Sequence, residues 1–210
     1  HTRFKCDWSS DVCSSDLIRG IIASAPTIDD IVATPTGFLS TVLDANGNQT
    51  ATLVASGSNR RAVTIDEIPK NLQHAFVAIE DERFYEHNGI DVTGIIRAGV
   101  KGVASGFHFS EGASTITQQL LKNTVFTSWT SESSMADKFE RKFQEQYLAL
   151  QLEKVVDKDW ILENYLNAIN LGQNTLGVGV ASERYFGKDV SDLTLSECAV
   201  LAAIDRKSVV

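Results

Sequence analysis

Pro69-Lys70-Asn71-Leu72-Gln73-His74-Ala75-Phe76-Val77-Ala78-Ile79-Glu80-Asp81-Glu82-Arg83-Phe84-Tyr85-Glu86-His87 is the stretch on which the fold turns. Pro69 suits a first helical position, where its missing N–H is not needed. Leu72, Phe76 and Ile79 recur at i, i+4 and i+7, which predicts a helix with one apolar face in the core. Glu80 is next in that line, so it is drawn towards the core or the edge of a cleft, at the end of a helix that runs straight into a polar segment.

Downstream the helical pattern continues almost to the end. Asp91 is placed to cap a second helix holding Ile95, Ile96, Val100 and Val103 and ended by Gly106. Ser114 is placed to cap a third, beginning Thr115-Ile116-Thr117-Gln118-Gln119. A long fourth helix is expected from about Met135 to Val155, with Phe139, Phe143 and Leu150 among its apolar positions, and a fifth holds Ile161, Tyr165, Leu166 and Ile169. The last starts with a capping box, Thr194 to Glu197, before Ala199-Val200-Leu201. Upstream, Phe38 to Val54 alternates as strand, Asp44-Ala45-Asn46-Gly47-Asn48 and strand, a hairpin with an Asn-Gly turn. Residues before it, around Ala25-Pro26 and Thr34-Pro35, form an extended connector. The fold class is mainly α with a small N-terminal β-hairpin.

Composition narrows the function. Hydrophobic residues make up 43% and charged residues 22% of the 210, as in ordinary globular domains. A net charge of -8 argues against a nucleic-acid partner, which would need a basic surface, yet leaves room for a phosphate held by a few placed cations. No run approaches the ~18 apolar residues of a spanning helix, and no signal-peptide pattern is visible. Cys198 lies in an apolar helix and is expected to be buried. Residues 1–17, with their CDWSSDVCSSD near-repeat, and residues 205–210 break the surrounding patterns, and both are taken as foreign tails. That leaves residues 18–57 as connector and hairpin and residues 58–204 as the main domain.

Three segments carry more polar groups than their positions call for. At the end of the first helix, partial burial and the negative end of the dipole both disfavour a charged Glu80, the direction a general base needs. The same pattern also fits a solvated acidic helix end. Glu111 to Lys122 leads small residues into a capped helix, whose exposed N–H groups form an anion site supplemented by Lys122, Thr115, Gln118 and Gln119. An ordinary N-cap with a surface lysine is the plainer alternative. In Arg141-Lys142-Phe143-Gln144-Glu145, the glutamate shares its face with Leu148, Ala149 and Leu152, so it points inwards with Arg141 as its partner; a surface salt-bridge ladder fits the spacing too. Two carboxylates and an anion site suggest transfer at a sugar anomeric carbon with a phosphate leaving group, parallel to an inverting glycosidase with a hydroxyl replacing water.

Five motifs in order make the chain resemble the family 51 glycosyltransferases, the polymerising domain of class A penicillin-binding proteins and monofunctional transglycosylases. They are Glu80-Asp81-x-x-Phe84-x-x-His87-x-Gly89, then Gly112-Ala113-Ser114-Thr115-Ile116-Thr117-Gln118-Gln119 with Leu120 to Asn123, and Arg141-Lys142-x-x-Glu145. Lys158-x-x-Ile161-Leu162-x-x-Tyr165-Leu166-Asn167 follows, and then Gly172 to Gly177 with Ala181 and Tyr185-Phe186-Gly187-Lys188.

The resemblance implies a lysozyme-like, two-lobed helical domain. Such a domain joins lipid II into glycan strands with inversion and releases undecaprenyl diphosphate. It implies that Glu80 is the catalytic base and Glu145 the second essential carboxylate. Ser114, Thr115, Gln118, Gln119, Lys122 and Arg141 would contact the donor's phosphates and sugars, while Asp81, Phe84 and His87 shape the cleft and bind substrate; a zinc role for His87 is disfavoured. No metal site or cofactor is required, with a divalent cation (Mg or Mn) at the diphosphate left open. The partners implied are lipid II, the growing glycan, the membrane surface, a moenomycin-type inhibitor and the cell-wall synthesis complex, and not nucleic acid. Ile90 to Phe109, with Phe107 and Phe109, matches the part that dips into the bilayer. The location implied is the outer face of the cytoplasmic membrane, anchored by a missing N-terminal helix. The sequence departs from the family in two places: Thr124 to Ser134 lacks Arg and Lys, and Gly172-Gln173 stands where many members have Arg-Gly. A glycan hydrolase of similar fold and an inactive truncated interaction module remain the alternatives.

Overall fold

The computed structural model describes residues 12–27, 33–54, 59–104, 114–126, 134–173 and 175–205. The expected Gly106 helix end, Phe107 and Phe109, Glu111 to Ala113, Asp29-Asp30 and most of the Thr124–Ser134 segment lie outside them. In chain order the elements are α1 (Val12–Ala23), β1 (Ser40–Leu43), β2 (Gln49–Leu53), α2 (Lys70–Glu80), α3 (Val92–Ala104), α4 (Ile116–Thr124), α5 (Met135–Leu152), α6 (Lys158–Ala168), α7 (Val178–Phe186) and α8 (Leu195–Asp205). The chain is therefore mainly helical with one two-stranded antiparallel sheet, as its sequence indicates. Among the described residues no helix is long and apolar enough to cross a membrane.

The hairpin forms because Asp44 organises its turn. Its Oδ1 accepts the Asn46 and Asn48 amides at 2.8 and 2.9 Å, and Gly47 takes φ 86°. Both strands are exposed along their length, so the ribbon lies outside the core.

The core is built around α4. Ile116, Leu120 and Leu121 are fully buried where α4 packs on α5 and α6, and Ile161, Leu162, Tyr165 and Leu166 form the buried face of α6. Tyr165 meets Phe76 of α2 edge to face at 6.2 Å between ring centroids. α2 lies against α8, whose Cys198, Leu201 and Ala202 are buried. The capping box of α8 forms as its sequence indicates: the Thr194 amide donates to Glu197 Oε2 at 2.8 Å and the Glu197 amide to Thr194 Oγ1 at 3.4 Å.

Four local expectations are corrected. Pro69 is the residue before α2 rather than its first, and Ile79 is 40% exposed. The buried positions of α2 are Leu72, Gln73, Phe76 and Val77. At about 100° per residue they span an arc whose centre lies about 90° from Ile79 and within about 10° of Glu80. Glu80 thus faces inward by helical phase, without Ile79 beside it, and is half-buried. In α5 the buried stripe is Gln144, Glu145, Leu148, Ala149 and Leu152, which leaves Phe139 and Leu150 exposed on the far side. The N-cap of α4 is Thr115, one residue later than expected.

Two helices had no counterpart in the sequence reading. α7 carries Ala181, Tyr185 and Phe186 of the fifth motif, and α1 starts at Val12, inside the stretch taken as foreign. The end of α1 packs on α5, where Gln144 Nε2 donates to Ser24 Oγ at 3.0 Å and to the Ile21 carbonyl at 3.3 Å.

Candidate active site

Glu80 is the last residue of α2, and its Oε2 accepts from Gln119 Nε2 of α4 at 3.0 Å. Among the described residues its other carboxylate oxygen has no hydrogen-bond partner, so one oxygen is held and the other is not.

Its neighbour Asp81 turns the opposite way and is 7% exposed. Both Asp81 oxygens lie 3.0 Å from His87 Nε2, and Oδ2 also accepts the Ile116 amide at 3.0 Å. Facing a carboxylate on both contacts, Nε2 must carry the hydrogen. Ile116 is the first residue of α4, so Asp81 sits at the positive end of that helix dipole. The anion that meets the Ile116 amide at the N terminus of α4 is thus a side chain of the protein itself. The Gln118 amide is also satisfied internally, by Thr115 Oγ1 at 3.2 Å.

Thr115 and Gln118 are 1% exposed, and both side chains hold the Gly89 carbonyl, at 2.7 and 3.4 Å. Gly89 takes φ 89°, and a Cβ there would lie 2.6 Å from the Ala149 carbonyl carbon and oxygen, so the position requires glycine. Phe84, in the same segment between α2 and α3, is wholly buried. Of the residues assigned to substrate, Thr115, Gln118, Asp81 and Phe84 are thus engaged in building the wall. Ser114, Gln119, Lys122 and Arg141 are half-buried.

Glu145, fully buried on α5, has a cation on each oxygen. Arg141 NH1 reaches Oε1, and Lys142 Nζ lies 2.9 Å from Oε2 and 2.7 Å from Ser114 Oγ. A lone carboxylate at such depth would cost several kcal/mol, and the two cations offset that while leaving the trio with one net positive charge. Arg141 was expected here, whereas the sequence reading gave Lys142 no role. Its i+3 spacing to Glu145 was visible, but its bond to Ser114 joins residues 28 apart in the chain. With both oxygens so occupied, Glu145 offers a divalent ion no ready ligand. Among the described residues no group of three His, Cys, Asp or Glu side chains is disposed to hold a metal.

The two carboxylates are joined through one helix. Gln119 in the second turn of α4 holds Glu80, and Ser114 just before its first turn meets the Lys142–Glu145 pair. Beside the loop after Glu80, a groove of about 470 Å³ opens between Arg83, His87, Asp91 and Leu150, with neither Glu80 nor Glu145 in its lining. Asp91 caps α3 there as expected, accepting the Gly94 amide at 2.9 Å. Burial opposes its ionisation, but the Arg83 guanidinium and that amide hold its carboxyl below the ordinary value.

Comparison with known proteins places the chain in a family. The family model described as Transglycosylase matches residues 46–209, well over half of the chain. Penicillin-binding protein 1A of Clostridium perfringens (strain 13 / Type A) is 46% identical over 192 residues, covering 90% of this chain and 27% of that protein. Penicillin-binding protein 1A of Clostridium novyi (strain NT) is 44% identical over 93% of this chain and 23% of its own length. Penicillin-binding protein 1F of Bacillus subtilis (strain 168) is 46% identical over 80% of this chain and 22% of its own. The chain spans about a quarter of the length of these curated relatives. With a family model over most of its length and relatives at this identity, the chain belongs to the transglycosylase family.

Proposed function

We propose that the chain is a peptidoglycan glycosyltransferase that polymerises lipid II. Glu80 takes the proton from the 4-hydroxyl of the acceptor sugar. The hydroxyl oxygen forms a new bond to the donor's anomeric carbon as the bond from that carbon to phosphate breaks, and undecaprenyl diphosphate departs with the electron pair. Attack opposite the leaving group inverts the anomeric centre. Arg141, Lys142 and Lys122 supply positive charge for the diphosphate, and Glu145 keeps the first two in place.

The observation that carries this reading is the pairing through α4 of a half-open carboxylate, Glu80, with a cation-rich carboxylate cluster at Glu145. A hydrolase, with no diphosphate to release, has no use for that excess of cations.

A membrane surface suits the lipid-linked donor. Val92, Ile96 and Val100 of α3 are 61%, 61% and 64% exposed, a face fit to enter the interfacial layer of the outer leaflet. In the longer protein this domain would stand on the extracytoplasmic side, within the cell-wall synthesis complex and open to moenomycin-type inhibitors.

The test is incubation of the chain in detergent with labelled lipid II, followed by gel analysis of the glycan. Polymer is expected from the chain, and Glu80→Gln should reduce it by at least about a hundredfold while the fold and donor binding persist. Digestion of preformed glycan in place of polymer would refute the reading.

A further inference from the structure

Behind the junction of α4 and α5 lies an ion pair to which the proposed reaction assigns no part. Glu153 closes α5 with its side chain 3% exposed, Lys158 opens α6 at 22%, and Nζ stands 2.7 Å from Oε2. Each partner then reaches a different wall of the site. Glu153 Oε1 accepts from Thr117 Oγ1 on α4 at 2.5 Å. Lys158 Nζ donates to the His87 carbonyl at 2.8 Å and stands 4.4 Å from the centroid of the Phe84 ring.

The positions of those contacts matter more than their number. Thr117 is completely buried and lies two residues before Gln119, which holds Glu80. His87 grips Asp81, the residue after Glu80. The clasp therefore fixes both neighbours of the proposed base, one on α4 and one on the loop that follows α2. A buried pair kept only for stability is commonly replaceable by apolar residues without loss. This one directs each carboxylate oxygen to a different element, an arrangement that constrains rotation and register of α4.

We propose that the Glu153–Lys158 pair is a positioning element, acting through Thr117 and His87 to set the Gln119 amide against Glu80. It rests on the transferase reading above for its effect on turnover, though its effect on Gln119 does not depend on that reading. Neither residue touches substrate.

Thr117→Val removes the hydroxyl at nearly constant volume, and Thr117→Ser keeps it. With labelled lipid II in detergent, Thr117→Val should lower kcat about tenfold at unchanged KM, since small misplacements of reacting groups are costly in rate. It should also shift the Gln119 side-chain amide signal in an NMR spectrum, and Thr117→Ser should restore both. Glu153→Gln should repeat the loss, with the double variant Thr117→Val/Glu153→Gln no worse than the worse single one.

A Thr117→Val protein with normal kcat and an unmoved Gln119 signal would overturn the proposal, whatever its melting temperature. So would a Thr117→Ser protein as damaged as Thr117→Val, because the lost methyl would then be the cause. An unmutated chain that makes no polymer counts against the transferase reading, and the Gln119 signal alone then decides whether the clasp positions α4.

Discussion

If the anion at the N terminus of α4 is Asp81, two substitutions there must differ in a definite order. Asp81→Asn removes the charge and keeps the shape. The helix-terminus interaction in a partly buried setting is worth about 1 kcal/mol. Two charge-assisted bonds becoming neutral ones lose about another 1 kcal/mol. One end of the amide would also face a donor. His87 relieves that conflict by moving its hydrogen to Nδ1, which is buried without a partner. Asp81→Ala offers no such escape and leaves the Ile116 amide and His87 Nε2 both buried and unmatched, at about 2 kcal/mol each. The expected losses are thus about 2 kcal/mol for asparagine and about 4 for alanine. For a chain of this size they correspond to melting points lower by about 6 and 12 °C. Urea titration monitored by far-UV circular dichroism measures the difference, read as a midpoint change at constant slope. If α4 instead used its N terminus for a ligand phosphate, both variants would keep wild-type stability and bind inorganic pyrophosphate more tightly, because a repelling carboxylate would be gone. Equal midpoints for all three proteins would refute the assignment.

Two further outcomes follow from single positions. Gly89→Ala places a Cβ 2.6 Å from the Ala149 backbone at φ 89° and should lower stability by more than about 3 kcal/mol, measured by the urea midpoint; a loss under about 1 kcal/mol would mean that the loop and α5 are not in the contact described. At Glu197 the Lys188 ammonium, with the Thr194 amide and hydroxyl, holds the carboxyl down at about 2 from an ordinary 4.5. A folded-state value below the unfolded one contributes stability that is complete above about pH 4.5 and is lost as the pH falls towards 2. An NMR titration of the Glu197 side chain should therefore show its midpoint near 2 and, in Lys188→Met, a clear rise; no rise would exclude the lysine as its cause.

The sequence was most informative where a local rule decides the outcome. The Asn-Gly hairpin, the Asp91 cap, the Thr194–Glu197 box and the inward turn of Glu145 each depend on residues within a few positions of one another, and each is found in the structure. Apolar spacing was a weaker guide. It placed Ile79 inside and did not separate Phe139 and Leu150 from the buried stripe of α5, because three points of a helical pattern define a face only to within about a quarter turn. The cap of α4 slipped by one residue for a related reason, since Ser114 and Thr115 are both good caps. The choice was settled by tertiary partners, with Lys142 engaging the serine and the Gly89 carbonyl engaging the threonine.

What no local pattern could reveal is which polar groups of the candidate site meet one another across the fold. Asp81, Thr115 and Gln118 stand in motifs beside the proposed catalytic groups, and spacing gave them equal standing with Glu80 and Gln119. Their partners lie 26 to 35 residues away in the chain: Asp81 on the Ile116 amide, Thr115 and Gln118 on the Gly89 carbonyl. The Glu80–Gln119 bond spans 39 residues and the Ser114–Lys142 bond 28. All of these meet on α4, a helix of nine residues, or on the two residues before it, and the N-terminal end of the helix is occupied by contacts to the protein itself. The fixed set of Asp81, Thr115, Gln118 and Gly89 thus holds that helix still, and the exchangeable set of Glu80, Gln119, Ser114 and Lys142 lies on its margins. On the proposed reading, a substitution in the first set should therefore act on stability and turnover together and Glu80→Gln on turnover alone, whereas loss of Lys142 should also lower stability, because it uncovers the buried Glu145 carboxylate.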